Sequence, residues 1–104
     1  MEMARRNRRP TSPGVILLDY YLKPRQLSIA QFASAADITR KHASNIIHGK
    51  ADITPEMAVR FARVLDTTPE FWMNLQNAVN LHDACEHLSR WRPKEVHPAV
   101  LMQA

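Results

Sequence analysis

The chain has 104 residues, 45% of them apolar, and 14 Lys and Arg against 10 Asp and Glu give it a net charge of +4. That length makes one domain able to bury about 60–65% of its unfolded surface, and the apolar share argues against disorder. A single cysteine, Cys85, excludes an internal disulfide and fits a reducing cytoplasm, and no apolar run is long enough to cross a membrane.

Only two glycines are present and no alternating run of Val, Ile or Thr appears, so the expected fold is all-α. Charge is unevenly placed. Residues 1–50 carry nine Lys and Arg against three Asp and Glu, a balance of +6, whereas residues 51–104 balance at −2. An electropositive first half is the footprint of a face that meets polyanions.

The opening residues 1–12 read as a flexible basic arm holding Arg5, Arg6, Arg8 and Arg9 ahead of Pro10. Paired arginines can mark export, but no apolar segment of about 7–15 residues follows. Such an arm can lie along phosphates or enter a minor groove, or it can merely solubilise. The domain is expected over residues 13–88. Ser12 and Pro13 are an N-cap and a first helical residue, and Gly14 to Leu22 is apolar enough for a helix buried on most sides. Pro24 ends that helix, and Lys23 and Arg25 place two cations in the linker that follows.

Ser28 to Lys50 reads as two short helices joined by a tight turn. Ile29, Phe32, Ala33 and Ala36 stand at i, i+3, i+4, i+7, and Ala43, Ile46 and Ile47 repeat the start of that pattern. Ser28 with Gln31 forms a capping box, Leu27 and Phe32 a hydrophobic staple, Thr39 a second cap, and Gly49 a left-handed stop. Small residues at 33, 36 and 43 let the two helices cross closely. The outward face of the second helix is then Arg40, Lys41, Ser44, Asn45 and His48, all hydrogen-bond donors. Arg and Lys suit guanine edges, Asn suits adenine, and Ser suits base or phosphate. The arrangement is that of a helix-turn-helix whose recognition helix spans Thr39 to His48. Asp37 holds the turn position more often given to glycine, at a cost of about 1 kcal/mol.

Thr54-Pro55-Glu56 and Thr68-Pro69-Glu70 start two further helices with the same cap, proline and acid. The first should bury Met57, Ala58, Phe61, Ala62 and Leu65 and expose Arg60 and Arg63. The second carries Phe71, Trp72, Leu75, Val79 and His82 on one stripe with Ala78 beside it. That stripe is wide enough to leave apolar surface for a homodimer contact through Phe71, Trp72, Leu75 and Val79. Residues 89–104, with Pro93 and Pro98, read as an irregular tail.

No catalytic constellation is visible. His82, Cys85 and Glu86 sit close along one helix, but nothing completes a metal-ligand set. No glycine loop can cradle a phosphate. A non-enzyme without metal or cofactor is expected.

The stretches PGVILLDYYLKPRQLSIAQFA and HGKADITPEMAVRFARVLDTTPEFWMNLQNAVNL resemble the HigA-type antitoxins, within the lambda-repressor-like, Cro/C1 (XRE) helix-turn-helix family. The likeness runs from about Pro13 to Leu81, roughly two-thirds of the chain, and is sharpest over Pro69 to Gln76. Asp37, Ala43 and Asp52 depart from the family pattern. The resemblance implies a five-helix fold and a homodimer on a palindromic double-stranded DNA operator in its own promoter. It also implies a HigB-like toxin partner that cuts messenger RNA. On this reading Thr39, Arg40, Lys41, Ser44, Asn45 and His48 meet bases, and Ser28, Gln31, Lys50 and the arm arginines meet phosphate. A stand-alone transcription regulator, and a protein-interaction module that no longer binds DNA, remain the alternatives.

Overall fold

The computed structural model describes residues 8–101. Helix α1 begins over Pro13–Ile16 and runs on without a break as a π-helix over Leu17–Leu22. It is followed by α2 (Ile29–Ala36), α3 (Arg40–Ile47), α4 (Pro55–Leu65) and α5 (Pro69–His87), with no strand among the described residues. The described residues thus form five helices in an all-α arrangement.

Every helix starts on a hydroxyl. The oxygens of Ser12, Ser28, Thr39, Thr54 and Thr68 accept the backbone N–H groups of Val15, Gln31, His42, Met57 and Phe71. Each bond satisfies one of the donors that a helix start leaves unpaired. The capping box is complete, because the Gln31 side chain also accepts from the Ser28 N–H at 2.8 Å. Helix ends use the left-handed region: Gly49 after α3 at φ 76°, but also Asp37 and Asp66 at φ 58° and 59°. Asp is among the few residues other than glycine that tolerate it.

The core is aromatic at its centre. Trp72 is fully buried and meets Tyr21, Phe61 and Phe71 edge-on or tilted at centroid distances of 5.2, 5.8 and 5.0 Å, and Phe61 meets Phe32 at 5.0 Å. Its indole N–H donates to the Thr67 hydroxyl at 2.7 Å, so burial strands no polar atom. The chain of rings ties α1, α2, α4 and α5 together.

Three expectations are corrected. The first helix is not buried on most sides: Val15 and Tyr20 are exposed, and Leu17 and Leu22 are its only large side chains fully in the core. Residues five apart on an α-helix point about 140° apart. The wider π-turn, closed by Lys23 N–H on the Leu18 carbonyl at 3.0 Å, brings them to one side. Trp72 and Val79 are 0% and 2% exposed, so the intramolecular core has consumed them and neither can touch a second subunit. Phe71 and Leu75 keep partial exposure. Arg60, expected in solvent, is half-buried.

Gly14 is where α1 crosses α3. A Cβ there would lie 2.5 Å from the Ile46 carbonyl oxygen and closer still to that of Ile47. Backbone cannot swing aside as a side chain can. Gly14→Ala should therefore cost about 1–3 kcal/mol by overpacking and push α3 outward, read as a lower urea midpoint. An unchanged midpoint would mean the contact relaxes freely.

Beyond Leu81 the second half of α5 is largely exposed, and residues 88–101 carry no helix or strand. The radius of gyration is 17.9 Å, against about 13 Å for a compact chain of this length.

Candidate nucleic-acid interface

Helix α2, the turn and α3 form a tight unit. Asp37 N–H donates to Ser34 O at 3.2 Å and Ile38 N–H to Ala33 O at 3.0 Å, the bonds that close a helix through a left-handed residue. Ala33, Ala36 and Ala43 are all buried at the crossing, as the spacing requires. Thr39 caps α3, and the Asp37 carboxylate is out in solvent, 4.0 Å from Arg60.

Helix α3 buries Ala43, Ile46 and Ile47 and turns its other residues outward. Arg40, Lys41 and His48 are exposed, and Ser44 and Asn45 partly so. No acid lies in this helix, and its N-terminal end adds the positive pole of the peptide dipoles. Among the described residues, none hydrogen-bonds or ion-pairs with the side chains of Arg40, Lys41, Asn45 or Lys50. Their donors are unspent. His48 is held differently: its Nδ1 donates to the Ser44 carbonyl at 2.9 Å and sits 3.2 Å from the Ser44 hydroxyl. Ser44 and His48 thus begin from an internal partnership, and Thr39 from its cap.

The segment after α3 is pinned to α5. Asn45 O accepts from Lys50 N–H and Ala51 N–H at 2.7 and 3.2 Å. The Ile53 N–H donates to buried Gln76 Oε1 at 2.8 Å, Gln76 donates to Asn80 Oδ1 at 3.1 Å, and Asn80 donates to Asp52 Oδ2 at 3.3 Å. Asp52 thus serves as an acceptor that ties this segment to α5.

Other expected phosphate contacts fare unevenly. Ser28 and Gln31 are exposed but engaged in their capping box. Arg8 is exposed. Arg5 and Arg6 lie outside the described residues. Arg9 has found a protein partner: its guanidinium grips Asp83 on α5 through two bonds of 2.9 and 3.0 Å. Hydrogen bonding from Arg9 holds the Asp83 carboxyl at about 2, below the usual carboxylate range. A depressed carboxylate adds its stabilisation above its unfolded pKa and loses it as pH falls toward 2, so the latch holds at neutral pH. The linker cations are also spoken for. Lys23 pairs with Asp19 at 3.0 Å, and Arg25 donates to Tyr21 O at 3.1 Å while lying over the Tyr21 ring.

Sequence reasoning missed three residues that shape this face: Gly14, Arg60 and Gln76. Gln76 stood inside the sharpest family stretch, so its signal was present without its reason. Arg60, four residues after Glu56, carried only the signature of a solvent pair.

Residues 18–72 match the helix-turn-helix family model, more than half of the chain. The chain belongs to the lambda-repressor-like helix-turn-helix family. The matched segment starts inside the π-turn and closes on the core Trp72. Within the family, an uncharacterised HTH-type transcriptional regulator of Haemophilus influenzae is 46% identical over 95 residues, covering 89% of this chain and 88% of that one. Antitoxin HigA-1 of Vibrio cholerae is 38% identical over 81 residues, covering 78% of this chain and 76% of its own length. Among solved structures, the Pseudomonas aeruginosa antitoxin HigA with the higBA promoter superposes with a TM-score of 0.79 at 33% identity, covering 88% of this chain and all of that one. The HigA-type resemblance of the sequence is thus matched at the level of the fold. No helix among the described residues is long and apolar enough to cross a membrane. Among them, no group of three or more His, Cys, Asp or Glu is placed to hold a metal ion.

Proposed function

We propose that this protein is a DNA-binding antitoxin of the HigA type. It represses its own operon by binding a palindromic operator and neutralises a HigB-like toxin that cleaves messenger RNA. The observation that carries this is the α3 face, where Arg40, Lys41 and Asn45 hold out uncommitted donors on a fold shared with a promoter-bound HigA. On this reading Arg40, Lys41 and Asn45 read bases, Thr39, Ser44 and His48 support them, and Ser28, Gln31, Lys50 and Arg8 meet phosphates. A homodimer in the cytoplasm presents two such helices one turn of DNA apart, about 34 Å. Phe71 and Leu75 are the parts of the α5 stripe still open to a second subunit.

A stand-alone regulator is the second reading, favoured by the Haemophilus relative, whose name carries regulation and no toxin. Pull-down of the tagged protein from its host, with stoichiometry by mass spectrometry, separates the two. An equimolar small partner encoded alongside it and toxic alone is the expected result. Recovery of the protein by itself, or with DNA only, would put the stand-alone regulator first.

A further inference from the structure

The turn between α2 and α3 lacks glycine, yet its backbone sits in the left-handed region, at Asp37 φ 58° and ψ 48°. A side chain there strains the turn, and the strain persists only where the surroundings hold it. The support comes from α4. Arg60 Nη1 donates to the Ala36 carbonyl at 2.9 Å and to the Asp37 carbonyl at 3.2 Å. These carbonyls close α2, where a helix leaves its acceptors unpaired and its dipole negative. The other edge of the guanidinium is fixed within α4 itself, with Nη2 and Nε donating to Glu56 Oε2 at 2.9 and 3.3 Å. The side chain is only 34% exposed, so water competes for it weakly. One planar group thus joins the first turn of α4 to the peptide units that decide where the chain leaves α2. Helix α3 begins three residues after Asp37.

We propose that Arg60 is a positioning residue for DNA reading. It clamps the glycine-free turn and thereby sets the direction in which α3 holds out Arg40, Lys41 and Asn45. The proposal rests on the DNA-binding reading above and adds the device that orients the reading helix. An ordinary ion-pairing role would require only the contacts with the Glu56 carboxylate at 2.9 Å and, at 4.0 Å, with the fully solvated carboxylate of Asp37; the two bonds to the turn carbonyls are what tie Arg60 to geometry.

The test uses the full chain with Arg60→Ala, Arg60→Lys, Asp37→Gly and the double variant Arg60→Ala/Asp37→Gly. Two quantities are read: the ratio of affinities for the upstream operator and for a random duplex, and amide hydrogen exchange at Asp37 and Ile38. Arg60→Ala should lower the ratio about tenfold and speed exchange at both amides. Arg60→Lys should recover little, because an ammonium cannot bridge Glu56 and two carbonyls as a planar fork does. Glycine relieves the strain at position 37, so the double variant should return to within about twofold of Asp37→Gly. An unchanged ratio in Arg60→Ala, or a fall that glycine at 37 does not repair, overturns the positioning role. So does loss of the fold in both Arg60 variants, which would make Arg60 a stabiliser of the whole domain. Failure of the DNA reading looks different: the wild type itself then shows no preference for the operator.

Discussion

Trp72→Ala should cost about 3–5 kcal/mol, the largest stability loss expected from any single substitution in this chain. The residue is fully buried, touches the rings of Tyr21 and Phe61 on two other helices and of Phe71 beside it on α5, and anchors its N–H on Thr67. Truncation leaves a cavity bounded by Tyr21, Phe61 and Phe71. These belong to α1, α4 and α5, so no single movement can close it. Domains of this size have about 5–15 kcal/mol in hand, so the variant should be close to unfolding at physiological temperature. Urea denaturation followed by tryptophan-independent circular dichroism measures it, and a loss under about 1 kcal/mol would show that Trp72 does not organise the core. Trp72→Phe should cost less, since most of the ring volume stays, but it strands the Thr67 hydroxyl.

The second large effect is on DNA. Arg40→Ala combined with Asn45→Ala should weaken operator binding by about 2–6 kcal/mol if each side chain reads a base. Folding stability should change by no more than about 0.5 kcal/mol, because neither side chain has a partner among the described residues to lose. Binding titrations on operator and random duplexes across a salt series separate the roles. A base reader lost from the face weakens the operator complex far more than the random one. A phosphate contact weakens both alike and lowers the slope of log affinity against log salt by about 0.9. Equal weakening on the two duplexes would remove Arg40 and Asn45 from the reading set and leave α3 as a backbone-binding helix.

Much of this was legible in the order of residues because it is local. A hydroxyl before a helix, a proline at its first position, a glycine after its end and apolar spacing at i, i+3, i+4 all act within a few residues. These foretold α2 to α5 and the outward face of α3. The buried alanines at 33, 36 and 43 were legible for the same reason: only small side chains allow so close a crossing. The first helix was misjudged because apolar content says how much can be buried and not how much surface is available to bury it. At α1 the rest of the fold reaches one side only, so Val15 and Tyr20 stay outside. The dimer expectation failed at Trp72 and Val79 through the same ambiguity. An apolar stripe faces its own core or another subunit with the same periodicity, and packing alone decides between them.

By itself, then, the sequence determined the helices, their caps, the turn at Asp37 and the chemistry displayed along α3, since each is settled by interactions within about one helical turn. Tertiary structure decided which residues hold that display in place. Arg60 reaches the turn from 23 residues away, Gln76 reaches Ile53 across the same separation, and Arg9 meets Asp83 from 74. Gly14 matters only because the α3 backbone passes against it. Partners at such distances are chosen by how the helices pack, and a linear pattern carries no record of which side chains the packing brings within 3 Å.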